Sequence, residues 1–248
     1  MKRQCLAGAV AFSLCFGTAV VQAQYYYPPP PAGPYAPPPA SPYPPPPAVL
    51  YFPPDTGPYF RFGVGPSFWQ DGQLTKFGVP VSSQVQYNTG LAVEAAFGYA
   101  FNKYIAADIE LGLVEAEINN VQAPDFFTQN SYIYNVPFLA NVTLSYPIPR
   151  TFVVPYIGIG AGGSSVDFST DGFGYNNNAV YGTETDVVFA WQAFAGLRFQ
   201  LNPQLSVGIG YKYFATQNPT FTYPPDNFSV SFKGVKTQNV LFTLEWKF

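Results

Sequence analysis

The 248-residue sequence has no histidine, one methionine, and only two cysteines, Cys5 and Cys15. Without imidazole there is no histidine metal ligand, no imidazole base and no Ser-His-Asp relay. Charge is scarce as well. Asp, Glu, Lys and Arg make up 10% of the chain, where a soluble domain carries about a quarter. No uninterrupted apolar run reaches the roughly 18 residues of a membrane helix. What is abundant argues against general disorder, since 24 Phe and 19 Tyr far exceed what disordered composition allows. These features together predict a chain embedded in a membrane without membrane helices.

Lys2 and Arg3 precede an apolar stretch from Leu6 to Val21, and Val21-Gln22-Ala23 ends it in small-x-small fashion. This reads as a secretory signal peptide, residues 1–23, cleaved before Gln24. Leu14 stands before Cys15 where a lipoprotein needs a small residue. Cleavage removes both cysteines, so the mature chain has no thiol, disulfide or Cys-based zinc site. It also removes two bases, leaving nine against 14 acids, a balance that gives nucleic-acid binding no support.

Residues 24–58 are low-complexity, with 16 prolines interleaved with Tyr25, Tyr26, Tyr27, Tyr35, Tyr43 and Tyr51. Proline removes amide donors and fixes φ, so polyproline II and turns remain. Such a segment reaches on the order of 100 Å when extended. It is read as a semi-rigid spacer or a disordered tail, with docking to an aromatic-lined partner groove or the cell wall as the sharper alternative.

From Tyr59 onward the texture changes to a two-residue period. Phe60, Phe62, Val64, Pro66 and Phe68 alternate with Arg61, Gly63, Gly65 and Ser67. Comparable runs cover about residues 91–101, 105–113, 134–146, 156–162, 189–201, 205–213 and 240–248. The pattern predicts eight strands of about ten residues, enough to cross a bilayer when tilted. Three connections are tight: Asn102-Lys103, Pro147-Ile148-Pro149-Arg150 and Asn202-Pro203-Gln204. The other four are long, about residues 69–89, 115–132, 164–185 and 215–237, and are read as loops. Long and short alternate strictly, as in an up-and-down barrel with its long loops at one end.

Volume decides which face points outward. An eight-stranded barrel has an interior just wide enough for side chains. Trp, Phe, Tyr and Leu from every strand would overfill it, whereas a surface of Gly, Ala and Ser lacks the charge that keeps a soluble barrel in solution. The apolar set, including Trp191, Ile209 and Phe242, is therefore expected to face lipid. Aromatic residues near strand ends (Tyr99, Phe101, Tyr104, Tyr146, Phe199, Tyr213, Trp246 and Phe248) fit interfacial girdles.

The inward set then includes Arg61, Glu94, Asp108, Glu110, Arg198, Lys212, Glu245 and Lys247: four acids and four bases. Charges walled off from bulk water must pair or meet water, so a salt-bridge network plugging the lumen is expected. A gated ion path through the same groups is the alternative. Gly158-Ile159-Gly160-Ala161-Gly162-Gly163 has the letters of a dinucleotide loop, but it lies inside an alternating strand rather than between a strand and a helix. Its glycines are read as making room for bulky neighbours such as Arg198. The acidic pairs Glu115 with Glu117 and Glu184 with Asp186 could attract divalent cations, although solvated loops are the simpler reading. No cofactor, catalytic site or metal site is assigned.

Several stretches resemble the small eight-stranded outer-membrane barrels of OmpA and OmpX type, and the opacity-type surface antigens grouped as outer-membrane β-barrel domain proteins. They are Asn135-Val136-Pro137-Phe138-Leu139-Ala140-Asn141-Val142, Pro155-Tyr156-Ile157-Gly158-Ile159-Gly160-Ala161-Gly162, Ala190-Trp191-Gln192-Ala193 and Gly208-Ile209-Gly210-Tyr211-Lys212-Tyr213. The terminal alternation of Phe242, Leu244, Trp246 and Phe248 resembles the signal read by the outer-membrane assembly machinery. Two departures stand out: no peptidoglycan-binding domain of OmpA type follows the barrel, and a Pro/Tyr-rich segment precedes it.

The resemblance implies outer-membrane lipid, lipopolysaccharide and the assembly machinery as partners, and an adhesive, antigenic or envelope-supporting role. Outer-membrane barrel enzymes of the lipase, deacylase and protease kinds use a histidine, so a non-enzymatic chain is expected. The fold expected is all-β: an eight-stranded antiparallel up-and-down transmembrane barrel, residues 59–248, preceded by a disordered Pro-rich segment. The barrel is expected in the outer membrane of a diderm bacterium, its long loops extracellular and its N-terminal segment in the periplasm with a periplasmic or cell-wall partner. Phe126, Phe127, Phe173, Tyr175, Phe221 and Tyr223 are expected to form the contact surface on the loops. A small porin-like channel and a soluble periplasmic lipid-binding barrel are the competing readings.

Overall fold

A computed structural model describes residues 56–123, 125–175, 178–223 and 228–248. The expected signal peptide and almost all of the Pro-rich segment lie outside these residues. Thirteen strands are described, in chain order: β1 (Gly57–Trp69), β2 (Gly72–Phe77), β3 (Val79–Tyr87), β4 (Gly90–Ala100), β5 (Ile105–Gln122), β6 (Phe126–Gln129), β7 (Tyr132–Ser145), β8 (Val153–Tyr175), β9 (Asn178–Gln200), β10 (Leu205–Thr216), β11 (Thr220–Tyr223), β12 (Phe228–Phe232) and β13 (Lys236–Lys247).

Eight of them close a ring. Antiparallel pairing runs β1, β4, β5, β7, β8, β9, β10, β13 and back to β1. The closing seam sets Arg61 opposite Glu245 and Val64 opposite Phe242. Closure satisfies every edge of the ring, which a strand crossing hydrocarbon requires. Asparagine builds two of the three tight turns in the same way. Asn102 Oδ1 accepts the Tyr104 and Ile105 amides, and Asn202 Oδ1 accepts those of Gln204 and Leu205, an Asx turn that reverses the chain at little entropic cost.

The alternation sorts as expected. Trp191 is 44% exposed, Ile209 40% and Phe242 60%, all on the outer face, while Arg61, Glu94, Asp108, Glu110, Lys212 and Glu245 are buried inside. On β5 the outward residues from Ile105 to Leu113 are all apolar, a rise of about 26 Å along the strand at about 3.3 Å per residue. That length suits the apolar band of an outer-membrane barrel.

The four long connections differ from the expectation. They are built mostly of strand, because the ring strands continue past the apolar belt: β8 and β9 each run 23 residues. Between them, β11, β12, β2 and β3 add a second sheet that joins the far end of β5, and β6 pairs with the far end of β8. The tight β2–β3 hairpin turns at Gly78, whose φ of 66° favours glycine.

Apolarity changes faces where the strands leave the belt. On β8, Ile157, Ile159 and Ala161 point outward; beyond them the outward residues are Ser165, Asp167 and Ser169, and Val166 and Phe168 are buried inside. On β5, outward Leu111 and Leu113 give way to Glu115 and Glu117, with Ala116 and Ile118 buried. A strand passing from an apolar to an aqueous surrounding must exchange its apolar face to keep the hydrophobic side away from water. The extension thereby acquires its own core. Leu74, Val85, Ile133, Val166, Phe168, Phe173, Phe221, Val230 and Phe232 are fully buried and contiguous.

Candidate functional site

The lumen of the ring holds two polar assemblies. Nearest the short turns, Arg198 Nη1 lies 3.0 Å from Glu245 Oε1, and its guanidinium sits 5.4 Å from the centre of the Tyr156 ring. Above that pair is a larger cluster. The Arg61 guanidinium reaches Glu94 (3.6 Å), Asp108 (3.4 Å) and Glu110 (3.3 Å). Lys212 Nζ bridges Glu94 and Glu110, at 2.6 Å from Glu110 Oε1. β1, β4, β5 and β10 bring these groups together across the ring.

Neutral groups complete the cluster. Tyr59 donates its hydroxyl to Asp108 Oδ2 at 2.6 Å. Asn141 Nδ2 donates to Asp108 Oδ1 (2.7 Å) and Glu110 Oε2 (3.0 Å). Gln192 Nε2 donates to Glu110 Oε1 (3.1 Å) and Asn141 Oδ1 (2.8 Å). The Phe194 ring faces both cations, 5.9 Å from Arg61 and 5.7 Å from Lys212. Three carboxylates against two cations are thus held by a dense set of donors, the condition under which buried charge is tolerated.

The structure therefore brings five of the eight inward charges into one cluster, sets Arg198 and Glu245 in a separate pair, and leaves Lys247 at the half-buried end of β13. Tyr59, Asn141 and Gln192, all buried, join the cluster without carrying charge and were not among the expected lumen residues. Their signal was available: each is a polar residue at an inward position of an alternating strand.

The glycine run serves different neighbours than expected. Gly158, Gly160 and Gly162 do lie on the inward face of β8, but a Cβ at Gly158 would strike the Phe194 ring and one at Gly160 would strike Asn141 Oδ1. The room is made for Phe194 and Asn141, not Arg198. Register decides this, since Gly160 pairs with Asn141 on one side and Gln192 on the other.

Around the cluster and on its long-connection side, Val114, Leu139, Ala190, Phe214, Ser67, Asn135, Thr237 and Asn239 are all buried. The aromatic core of the extension follows. Phe77, Phe126, Phe168, Phe173, Phe221 and Phe232 meet there at centroid distances of 4.8–6.1 Å, mostly edge to face. This corrects the expected contact surface. Phe173, Phe221 and Tyr223 are buried, and Phe126 packs against the same core. Of the six aromatic residues, only Phe127 and Tyr175 are exposed. Aromatic rings on water-exposed loops lose burial energy, and strands that continue past the belt provide a place to bury them.

Two tyrosines of the extension, half-buried Tyr87 and buried Tyr223, hold their protons tightly. Burial, and then the nearby Asp71 carboxylate, push the Tyr87 hydroxyl above the ordinary phenol range. Burial and then Glu184 do the same for Tyr223. One member of each acidic pair is engaged by a protein group: Glu117 Oε2 accepts from Asn88 (3.0 Å), and Asp186 Oδ2 accepts the Thr220 amide (2.8 Å), tying β9 to β11. Among the described residues no three such side chains converge on a common point.

Residues 53–248 match a family model described as "Outer membrane protein beta-barrel domain". No curated protein sequence matches the chain. Among solved structures, the chain is similar to the outer membrane protein OprG from Pseudomonas aeruginosa, with 10% identity, 80% of this chain and 100% of that chain covered, and a TM-score of 0.55. Outer membrane protein AlkL (19% identity, 83% and 95% covered, TM-score 0.46) and Neisserial surface protein A (13% identity, 77% and 97% covered, TM-score 0.46) also match.

Proposed function

The chain belongs to the outer membrane protein beta-barrel domain family, and for this Gram-negative outer-membrane barrel in contact with membrane lipid we propose a non-enzymatic, non-conducting role as a rigid display scaffold. One observation carries the reading: the cylinder is occupied over successive levels, first by the Arg61–Glu94–Asp108–Glu110–Lys212 cluster and then by the contiguous aromatic core of the extension. Opening a continuous path requires breaking ion pairs and also separating packed rings. The lumen network is structural in this reading, and the porin-like alternative is set aside on the same ground.

The long-connection end faces outward, and the short turns and the Pro-rich segment face the periplasm. Short periplasmic turns and longer outer connections are the rule for such barrels. The outer faces of β8, β9 and β12 on the extension, rather than mobile loops, present the surface for adhesion-like or antigen-like contacts. Phe242, Leu244, Trp246 and Phe248 serve as the assembly signal.

Planar-bilayer recording of the purified full chain tests closure, and large, stable single-channel currents would overturn it. Lysine labelling with a membrane-impermeant reagent tests orientation. Lys76, Lys233 and Lys236 should react in intact cells, and Lys103 only after permeabilisation. The reverse pattern inverts the topology.

A further inference from the structure

Alternation breaks near the far end of β8. The register between β8 and β9 shifts between Thr170 and Phe173, so that Asp171 and Gly172 both stand opposite Tyr181. Such a bulge re-aims side chains that a regular strand would send to opposite faces. It is pinned from within the extension: the Gly172 amide donates to Thr170 Oγ1 (3.0 Å), which lies 2.7 Å from Ser131 Oγ. Gly182, the neighbour of Tyr181, has a φ of 99°, so β9 departs from regular strand geometry at the same height.

β6 and β9 flank β8 here, and each leans an aromatic ring over Gly172. A Cβ on Gly172 would lie 3.5 Å from Phe127 Cε2, 3.6 Å from Tyr181 Cε1 and 3.5 Å from Gln129 Oε1. The missing side chain lets both rings lie low across the sheet, and Gly172 is buried beneath them. Their outer surfaces are open, with Phe127 40% exposed and Tyr181 65%. Asp171 borders this platform. Its Oδ2 accepts from Asn130 Nδ2 at 3.0 Å, which holds the exposed carboxylate on the β6 side, beside Gln129. Among the described residues Asp171 has no ion-pair partner. The surrounding charge has one sign as well: residues 151–197, which hold β8 and most of β9, carry Asp167, Asp171, Glu184 and Asp186 and no base.

We propose that this platform receives an arginine side chain of a partner protein. A planar guanidinium stacks on aromatic faces and forks onto a carboxylate. The exposed rings, Asp171 and Gln129 Oε1 supply both kinds of contact at one place. A quaternary ammonium group would use the rings but has no N–H for the two acceptors. A lysine ammonium is a compact, strongly hydrated point charge, which a flat ring pair matches less well. The acidic hairpin draws a basic partner in from a distance. The proposal deepens the display reading by giving the outer face a partner chemistry, and it rests on that reading only for access from outside the cell.

The test uses the detergent-solubilised full chain and a fluorescently labelled synthetic Gly/Ser peptide carrying two arginines, compared with lysine and citrulline versions of the same peptide. Anisotropy at low salt reads the affinities. The arginine peptide should bind about threefold or more tighter than the lysine peptide, and the citrulline peptide should not bind. Tyr181→Ala and Asp171→Asn should each weaken arginine-peptide binding by about three- to fivefold, as expected for one exposed cation–π contact or one exposed ion pair, and the double variant by about tenfold or more. Asp167→Asn, on the same hairpin but away from the rings, should leave binding nearly unchanged. Retained heat-modifiable migration on gels shows that the variants fold. Equal binding of the arginine and lysine peptides, or equal losses in Asp167→Asn and Asp171→Asn, would mean that diffuse charge alone holds the peptide and overturns the proposal. Absence of binding overturns it too. Micelles expose both ends of the barrel, so these results are independent of topology, which the intact-cell lysine labelling reads separately.

Discussion

Lys212 is the residue whose removal tests the lumen most sharply. Its ammonium group lies between Glu94 and Glu110, 2.6 Å from the latter, with the side chain 8% exposed. Lys212→Met keeps most of the stem volume and deletes the charge, a shape-conserving change that by itself costs little. What remains is Glu94, Asp108 and Glu110 facing Arg61 alone. Leaving buried carboxylates short of a partner costs about 3–5 kcal/mol. With a urea dependence of about 2 kcal/mol per molar, the unfolding midpoint in lipid vesicles should fall by about 2 M. Adding Glu94→Gln removes one of the stranded charges, so the double variant should recover part of the loss, with a coupling energy above about 1 kcal/mol. Tryptophan fluorescence of the reconstituted full chain against urea reads both numbers. Lys212→Met within about 0.5 kcal/mol of the parent, with effects that simply add to those of Glu94→Gln, would refute the claim that these groups form one desolvated unit.

Phe173→Ala removes a fully buried ring from the aromatic core and should cost about 3–5 kcal/mol. The extension should become protease-sensitive while the ring keeps its heat-modifiable migration, and simultaneous loss of both would contradict a core separate from the lumen cluster. Phe242→Arg on the outer face should destabilise the barrel by about 2–4 kcal/mol if it lies near the bilayer midplane, whereas Ser169→Arg, on the outward face beyond the belt, should be close to neutral in the same unfolding assay. The neutral forms of Tyr87 and Tyr223 are favoured in the fold. Their contribution is therefore complete below the unfolded phenol pKa of about 10 and is lost as pH rises above it toward the raised folded values. Phenolate absorbance should show these two ionising after the exposed tyrosines, together with opening of the extension.

Period-two patterning was legible across all eight ring strands, because alternation of Phe60, Phe62 and Val64 with Arg61 and Gly63 needs no partner to be recognised. Which groups face the lumen followed from volume, and Arg61, Glu94, Asp108, Glu110 and Lys212 lie there. Their sorting into a five-membered cluster and a separate Arg198–Glu245 pair was not legible, because it depends on register and on stagger around the ring. The part played by Tyr59, Asn141 and Gln192 was not legible either, because neutral polar groups carry no sign to match.

The long connections mark the real division between sequence and tertiary structure. Composition and alternation determined that hydrocarbon rather than water surrounds the middle of the cylinder. The strands beyond it have the look of loops in the sequence because Ile157, Ile159 and Ala161 keep one phase while Val166 and Phe168 keep the other. A phase change within one strand looks like its end unless the surrounding medium changes there too. Only the assembled ring, by carrying β5, β8 and β9 past the apolar belt and bringing β2, β3, β11 and β12 against them, decided that those aromatic residues turn inward and pack.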